Sequence, residues 1–214
     1  MMKHIILFGI QGSGKGTQAK NIVAQYPAYK HLEMWDIFRG LKGMDNYLWD
    51  YFKLIDRGTY LSDSVVTAVF DIFQSIVNKG EYMIIDGFPR TMGQMYMFMD
   101  RMRKAKMERQ ALLFDLPLEE AIKRLSNRKF YRKDGYVYHI RNDEDLLYAQ
   151  QNGFEIFHRD DDQPDAIKKR FDQHIKNTVP MLDFLDEKWF LARVDASYAP
   201  EEVFESVKKI IENN

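Results

Sequence analysis

The first residues that could do chemistry form a glycine-rich segment near the start of the chain, Gly9–Thr17, which reads GIQGSGKGT. The apolar run Ile5–Phe8 precedes this segment, and a helical pattern at Lys15–Gln25 follows it. Strand, glycine-rich turn and helix start are the context in which successive backbone N–H groups point at an anion. The sequence therefore predicts a phosphate-binding loop (P-loop) at this point.

The residue types in this loop predict specific contacts. Lys15 can bridge the outer phosphates of a bound compound, and the strict pattern places Ser or Thr directly after this lysine. Gly16 has that position here, so Thr17 must supply the hydroxyl for Mg²⁺. A glycine-rich turn that binds nothing would not need Lys and Thr at these offsets, but the motif alone leaves open which phosphate compound is bound. The residues predicted to bind it are Gly12, Ser13, Gly14, Lys15, Gly16 and Thr17.

A second polar stretch, Asp86–Thr91, reads DGFPRT and follows the apolar run Tyr82–Ile85. An Asp at the carboxyl end of a buried strand lies where ligands bind in open α/β sheets, and it can hold Mg²⁺ through waters. Arg90 offers a planar fork for phosphate, Gly87 allows close approach of a ligand, and Gln94 has a donor and an acceptor for a base edge. Taken alone, the stretch also fits a strand-ending turn with a helix cap.

The rest of the chain must supply the elements that position these residues. Short apolar runs bounded by turn signals indicate buried strands at Ile5–Phe8, Tyr82–Ile85, Ala111–Phe114 and Trp189–Val194, with a further short strand at His31–Met34. Amphipathic stretches indicate helices at Lys15–Gln25, Ser64–Asn78, Met92–Lys104, Leu118–Arg128, Asp165–Asp186 and Pro200–Glu212. Strands that alternate with helices predict an α/β fold with a doubly wound parallel sheet.

Two stretches interrupt this alternation. Residues 36–61 are mostly helical in pattern, and residues 129–159 are rich in Tyr, Asp, Asn and Gly, with a strand-like piece at Tyr136–Ile140. Stretches of this length are more typical of a functional lid or small subdomain than of an idle loop. We therefore interpret the first as a substrate-side insert and the second as a lid. Both belong to a single domain whose core is predicted at 1–35, 62–128 and 160–214.

Composition places the chain among ordinary globular proteins. It has 214 residues, of which 45% are hydrophobic and 29% charged, enough for a buried core. A net charge of −1 does not point to nucleic acid or to an anionic membrane, and the absence of Cys excludes disulfides and cysteine-ligated zinc. The N-terminal apolar run is too short for a signal peptide, and no stretch could span a bilayer, so a cytoplasmic location is expected.

The two motifs, in this order, closely resemble those of adenylate kinases, within the wider group of nucleoside monophosphate kinases. Further segments resemble the family pattern over nearly the whole chain. Residues 36–39 (DIFR) resemble its monophosphate-binding segment, and residues 61–63 (LSD) resemble the end of that insert. Residues 135–139 (GYVYH) resemble a lid strand, and residues 178–180 (TVP) match the Thr-x-Pro of the helix that follows.

The resemblance implies a three-layer P-loop kinase fold with a helical monophosphate-binding insert and a lid. It implies transfer of the γ-phosphoryl group from ATP·Mg²⁺ to a nucleoside monophosphate. A monomer is expected, because two segments that close leave limited room for an obligate interface. The catalytic residues that the resemblance implies are Lys15, Arg90, Arg128, Arg159 and Arg170. For ATP it adds Arg124 to the loop residues, and for the monophosphate it implies Met34, Arg39, Gly87, Arg90 and Gln94. The residues implied for Mg²⁺, mostly through water, are Thr17, Asp36 and Asp86.

The sequence departs from the family pattern at three points. The usual Ser-Thr-Gly-Asp before the monophosphate helix reads EMWD at 33–36, and Met34 cannot make the hydrogen bond of the family's Thr beside the adenine of AMP. The lid's Ser-Gly-Arg reads DGY at 134–136, which removes one cation. Without Cys, polar side-chain contacts would have to hold the lid where zinc does so in other long-lid members.

Several functions stay open at this stage. AMP as acceptor, with two ADP as products, is the first prediction, and another monophosphate acceptor is the alternative that Met34 and Trp35 motivate. A weakly catalytic regulatory ATP-binding protein would not need both groups of arginines. A kinase of small metabolites fits poorly with the DGFPR stretch and the long lid.

The histidines and a run of aspartates are two further groups of polar residues that could have a role. The five histidines show no metal-ligand spacing and are interpreted as structural: His4, His31, His139, His158 and His174. The aspartates at 160–162 are interpreted as a hinge and helix start that can also hold lid arginines. The lid and the insert are predicted to close when both substrates bind, which excludes water.

Overall fold

A computed structural model of the chain describes residues 2–34, 37, 62–78, 80–140, 142–158, 162–188 and 190–213. The insert predicted at 36–61 lies outside the described residues, apart from residue 37. Among the residues singled out from the sequence, the same is true of Trp35, Asp36, Arg39, Arg159, Asp160 and Asp161.

The strands, in chain order, are β1 (His4–Phe8), β2 (Tyr29–Glu33), β3 (Tyr82–Asp86), β4 (Arg109–Asp115), β5 (Lys129–Lys133), β6 (Tyr136–Ile140), β7 (Glu155–Phe157) and β8 (Leu191–Asp195). The helices are α1 (Lys15–Gln25), α2 (Asp63–Ile76), α3 (Met92–Lys104), α4 (Leu118–Ser126), α5 (Asp143–Gln151), α6 (Pro164–Glu187) and α7 (Pro200–Glu212). The larger sheet has five parallel strands in the order β2-β3-β1-β4-β8.

Helices cover both faces of this sheet, because successive side chains of a strand point to opposite sides. From β1, Ile6 and Phe8 pack with α2, α3 and α6, whereas Ile5 and Leu7 pack with α1 and α7. A strand buried on both faces needs apolar residues at consecutive positions, as β1 has. The predicted three-layer α/β fold with a parallel sheet is therefore confirmed. No helix in the described ranges is long and apolar enough to cross a bilayer.

Most predicted elements are present with ends that differ by a few residues. The strand predicted at Trp189–Val194 is β8, which begins at Leu191. The helix predicted at Leu118–Arg128 is α4, which ends at Ser126. Arg128 consequently lies in the short connection between α4 and β5, where its side chain can leave the helix surface.

Helix α5 lies in the stretch read as a lid, and the sequence pattern did not predict it. Its amphipathic pattern is weak, but its start has a clear signal. Asn142 is the N-cap, and its side-chain Oδ1 accepts a hydrogen bond of 2.8 Å from the backbone N of Asp145. The first turn is acidic throughout, which suits the positive end of the helix dipole.

Strands β5, β6 and β7 form a separate antiparallel sheet in the order β6-β5-β7, and α5 packs against it. Tyr131 is at the centre of this unit. Its ring stacks on Tyr138, with centroids 5.1 Å apart, and on Phe154, with centroids 5.6 Å apart. Tyr148 approaches the same ring edge-on at 6.2 Å. We refer to these four rings as the lid aromatic cluster.

Polar contacts are found at the rim of this unit. Lys133 Nζ donates to the Tyr148 hydroxyl at 2.9 Å, and Arg132 pairs with Glu155 at 2.7 Å, with both members of that pair largely exposed. The expectation that polar contacts take the place of a metal stays a prediction, with the observed polar contacts at the rim of the unit. Stacked aromatic rings occupy the centre, where they combine apolar burial with favourable ring geometry.

Candidate active site

The loop between β1 and α1 has the backbone conformation that its glycines allow. Gly12 and Gly14 have φ of 87° and 86°, in the left-handed region that glycine adopts without strain. A Cβ on Gly12 would also lie 3.1 Å from Leu125 Cγ of α4. Ser13 is buried between them, and its backbone N donates to the carbonyl of Ile10 at 3.2 Å. The loop therefore forms a tight turn directly before α1.

Lys15, in the first turn of α1, reaches back over this loop. Its Nζ donates to the carbonyl oxygens of Gly9 and Ile10 at 2.7 and 3.0 Å. Thr17 is exposed half a turn later on the same helix. The ammonium thus lies at the mouth of the loop, close to where phosphate oxygens would approach the backbone N–H groups.

Burial lowers the pKa of Lys15, and four neighbouring charges modify that effect. Asp86 and Glu33 favour the charged ammonium, while Arg90 and Arg128 disfavour it. These five groups come from α1, β2, β3 and the segments after β3 and α4. They form a cluster of mixed charge at the carboxyl end of the parallel sheet, which is where open α/β folds bind ligands.

Asp86 is the last residue of β3 and is largely buried. In the sheet register it lies beside Glu33 of β2 on one side and Leu7 of β1 on the other. The imidazole Nε2 of His31 is 4.0 Å from its carboxylate. Glu33 and His31 are site neighbours to which sequence reasoning gave no role in the site, although both lie in the strand predicted at His31–Met34.

Arg90 and Gln94 belong to a hydrogen-bonded network at the start of α3. Arg90 Nε donates to the carbonyl of Gly87 at 2.8 Å, and the Arg90 backbone N donates to Gln94 Oε1 at 2.7 Å. Asp63 Oδ1 accepts from Gln94 Nε2 at 3.0 Å and from the Thr91 hydroxyl at 2.9 Å. The amide of Gln94 is therefore held at both ends. Asp63 is a further site residue, which the sequence analysis placed at the end of the insert without a role in the site.

Met34 directly follows β2, and its side chain is 1% exposed. It belongs to the apolar cluster between the sheet and helices α2, α3 and α6. In this structure the thioether thus packs in the core instead of facing an open pocket. Its predicted contact with the monophosphate stays a prediction.

Arg128 and Asp162 join the two ends of the predicted lid. Arg128 Nε and Nη2 donate to the two carboxylate oxygens of Asp162 at 2.9 and 2.5 Å. The Asp162 side chain is 1% exposed, and the guanidinium also lies 5.2 Å above the ring of Phe130. A bidentate pair of this kind fixes an arginine in one geometry. Asp162 therefore holds the arginine that directly precedes the lid, and the expectation that residues 160–162 hold lid arginines stays a prediction.

Of the predicted arginines that the structure describes, Arg124 and Arg170 remain. Arg124 Nε donates to Glu120 at 3.1 Å, and its Nη2 donates to the carbonyl of Ser197 at 3.1 Å, which ties α4 to the turn after β8. Arg170, on α6, donates through Nη1 to the side-chain oxygen of Gln11 in the loop. Gln11 is a site residue to which the sequence analysis gave no role.

His174 lies one turn after Arg170 on the same face of α6. Burial, together with the charges of Lys15 and Arg90, lowers the pKa of His174 to about 4. The imidazole is therefore neutral at physiological pH although it lies beside cations. Spacing to Arg170 was the one sequence signal that could have identified it.

Comparisons with known proteins agree with this geometry. The model of the family described as "Adenylate kinase" matches residues 7–189. An adenylate kinase from Lactobacillus johnsonii is 31% identical over 215 residues, which covers 98% of this chain and 99% of that protein. Adenylate kinases from Staphylococcus epidermidis and Staphylococcus aureus are 30% and 31% identical with the same coverage of both chains. The chain belongs to the adenylate kinase family.

Proposed function

We propose that this protein transfers the γ-phosphoryl group of ATP to AMP and so forms two molecules of ADP. The observation that carries the proposal is the cluster of Lys15, Asp86, Arg90 and Arg128 at the carboxyl end of the parallel sheet, next to a tight glycine-rich loop. Membership of the adenylate kinase family supports the same reaction. The relatives with that name are matched over 99% of their own length.

The chemistry fits a site made of cations and backbone donors. Phosphoryl transfer needs positioning and charge neutralisation more than covalent chemistry. The acceptor phosphate is already anionic at neutral pH, so no strong general base is required. In the proposal, Lys15, Arg128, Arg159 and Arg170 surround the transferring group. Arg39 and Arg90 hold the acceptor phosphate, and Arg124 lies near the adenine of ATP.

The donor set fits Mg²⁺. Asp86 offers a carboxylate at the strand end and Thr17 an exposed hydroxyl in the first turn of α1, and hard oxygen ligands are what Mg²⁺ prefers. Within the described ranges, no three His, Cys, Asp or Glu side chains come together as a metal cage. In the proposal, these two groups and Asp36 act mostly through water. The ion would neutralise charge on the phosphates of ATP.

The orientation of Gln94 supports an acceptor base that carries an amino group, as adenine does. A carboxylate only accepts hydrogen bonds, so Asp63 requires the amide NH₂ of Gln94 to point towards it. The amide oxygen then faces the Arg90 backbone N, which donates to it at 2.7 Å, and its second lone pair is left to accept from an amino group of a base. Met34 supplies no N–H or O–H donor, because its side chain is a thioether, and that side chain is buried in the core.

A coupled assay for ADP tests the proposal, with ATP, Mg²⁺ and each of AMP, dAMP, GMP, CMP and UMP. We expect rapid turnover with AMP, and loss of about a hundredfold in kcat/KM for AMP in Arg90→Met, because a charge-assisted phosphate contact is removed. Arg103→Met, at an exposed arginine of α3, is the matched control and should retain full activity. Preference for another monophosphate would overturn AMP as acceptor. ATP binding without turnover would instead favour a regulatory protein.

The proposal also includes a monomeric state, a cytoplasmic location and nucleotides as the only partners, without nucleic acid or membrane. A lid and an insert that are both predicted to close would leave limited surface for an obligate interface. Sedimentation of the purified protein should give a mass near 25.5 kDa. A concentration-independent mass of twice that value would contradict the monomer.

A further inference from the structure

Gln11 and Arg170 are 159 residues apart in sequence and form a side-chain hydrogen bond in the structure. Gln11 is one of the non-glycine residues of the P-loop, and Arg170 is in the first half of α6. Both side chains are partly buried. The contact is a direct link between the loop that is proposed to bind phosphates and an arginine that is proposed to act on them.

Hydrogen bonds within the P-loop hold the backbone on both sides of Gln11. Lys15 donates to the carbonyls of the two preceding residues, Gly9 and Ile10, and Ser13 N donates to Ile10 O on the other side. The backbone around Gln11 is therefore held by hydrogen bonds before any ligand binds. The side-chain oxygen of Gln11, which is a hydrogen-bond acceptor, therefore has a defined position relative to the N–H groups that are proposed to bind phosphate.

An amide suits this position better than a carboxylate would. Its oxygen accepts one hydrogen bond from the guanidinium and adds no negative charge beside the phosphates. A guanidinium has five N–H donors in a planar fork, so a bond to Gln11 is compatible with phosphate contacts made by its other donors. The Arg128–Asp162 pair differs, because a buried carboxylate there accepts two bonds from one arginine.

We propose that Gln11 is a positioning residue, which holds Arg170 over the P-loop before the nucleotides bind. A long arginine side chain loses much rotamer freedom when it is fixed, and pre-organisation removes that cost from the reaction itself. The gain belongs to the step in which charge moves between phosphates, so it raises kcat more than it lowers KM. This inference rests on the proposed phosphoryl transfer.

A double-mutant cycle tests it, with Gln11→Met, which has similar length and no oxygen acceptor, and Arg170→Met. Gln11→Met alone should lower kcat about tenfold with KM for ATP and AMP within about threefold. In the Arg170→Met background, the same change should have no further effect. Gln25→Met, at an exposed glutamine that ends α1, is the matched control and should behave as wild type.

Two kinetic results would overturn the inference. One is an unchanged kcat in Gln11→Met, and the other is a full tenfold loss that persists in the Arg170→Met background. The second result would mean that Gln11 acts on the phosphates or the loop itself.

A ligand-free measurement keeps the inference testable if the wild-type protein forms no ADP, in which case the proposed function fails separately. ¹⁵N relaxation of the Arg170 Nε–H, assigned with Arg170→Lys, should show an ordered side chain in wild type and a mobile one in Gln11→Met. Gln11→Asn, whose side chain is one carbon shorter, is a second variant for this measurement if Gln11→Met does not fold. Equal order in wild type and variant would contradict the positioning role.

Discussion

Strand β1 in the middle of the parallel sheet and strand β6 at the edge of the antiparallel sheet each have five residues. Every residue of β1 is buried, whereas four of the five residues of β6 are exposed. The parallel sheet is covered by helices on both faces and its apolar residues pack into two large clusters. The smaller sheet relies on the lid aromatic cluster and on α5.

This difference indicates two roles. The parallel sheet positions the site residues, and the smaller unit is expected to cover them. The parallel sheet fixes the P-loop after β1 and Asp86 at the end of β3 relative to each other, because neighbouring strands share one hydrogen-bond register. The smaller unit buries fewer apolar residues, and such regions open at lower free energy than the core. An element that closes over substrates and opens again has to be a region of this kind, with a low free energy of opening. We therefore expect chemistry to depend on core residues and closure to depend on the lid.

The largest expected effect is on activity, at Lys15 in the core. Lys15→Met should lower kcat by about a thousandfold, because it removes the cation at the mouth of the loop. The lid variant Lys133→Met, which removes the bond to the Tyr148 hydroxyl, should lower kcat less than about tenfold. Lys104→Met, at an exposed lysine of α3, is the neutral control. Equal losses in the core and lid variants, measured as ADP formation, would contradict this division into two roles.

The next effect is on the free energy of unfolding. It is compared between two variants, one that lacks an aromatic ring in the core and one that lacks an aromatic ring in the lid. Phe98 is fully buried between Phe70 and Phe88, and Phe98→Ala should lower the free energy of global unfolding by about 3–5 kcal/mol. Tyr131→Ala should instead raise the rate of local opening at residues 129–157 and change global unfolding by less than about 1 kcal/mol. Urea melts and hydrogen exchange measure the two quantities. A global loss in Tyr131→Ala as large as in Phe98→Ala would show that the lid folds as part of the core.

A third effect concerns pH and the core alone. Burial lowers the pKa of His4 to about 4, and its Nδ1 accepts a hydrogen bond of 3.0 Å from the Met83 backbone N. The folded pKa is below the unfolded value of 6.5. The stability contributed by the neutral imidazole is thus present above pH 6.5 and is lost as pH falls towards 4, by at most about 3 kcal/mol.

His4→Asn keeps an acceptor at a similar distance but does not titrate, so it isolates this contribution. The variant should lose less stability than wild type between pH 6.5 and 4.5 in urea melts, and it should unfold at a similar midpoint at pH 7.5. His158→Asn, at an exposed histidine, is the control and should follow wild type. Parallel curves for His4→Asn and wild type would contradict the account of β1.

The smallest effect expected is that of a chelator on the lid. Aromatic rings hold its centre and the chain has no Cys, so EDTA should change the melting temperature of the ligand-free protein by less than about 1 °C. Calorimetry with and without EDTA measures this directly. A fall of several degrees that added zinc restores would show a structural metal in the lid.

The core could be predicted from the sequence because its signals are local. Gly12 and Gly14 are needed because φ is positive at both positions. The apolar run before Asp86 predicts a buried strand, and the structure has that strand, which ends at the site. Met34 could be singled out as a departure from the family pattern, but its burial depends on helices α2, α3 and α6, which lie far along the chain.

The lid and the contacts between site residues could not be predicted in the same way. Tyr131, Tyr138 and Phe154 come from different strands and a turn, so their stacking is a result of register and not of spacing. The bond from Arg170 to Gln11 likewise joins two elements that only the complete fold brings together. The N-cap at Asn142 was a local signal for α5, but the weak amphipathic pattern of that helix masked it.

The most direct test of the central claim uses ADP as the only nucleotide. An enzyme that transfers a phosphoryl group between ATP and AMP must also run backwards, with ADP bound in both sites. With ADP and Mg²⁺ alone, ³¹P NMR should show ATP and AMP in equal amounts, and the Lys15→Met protein should show neither on the same time scale. ADP that stays unchanged, or that gives AMP and inorganic phosphate without ATP, would contradict the account.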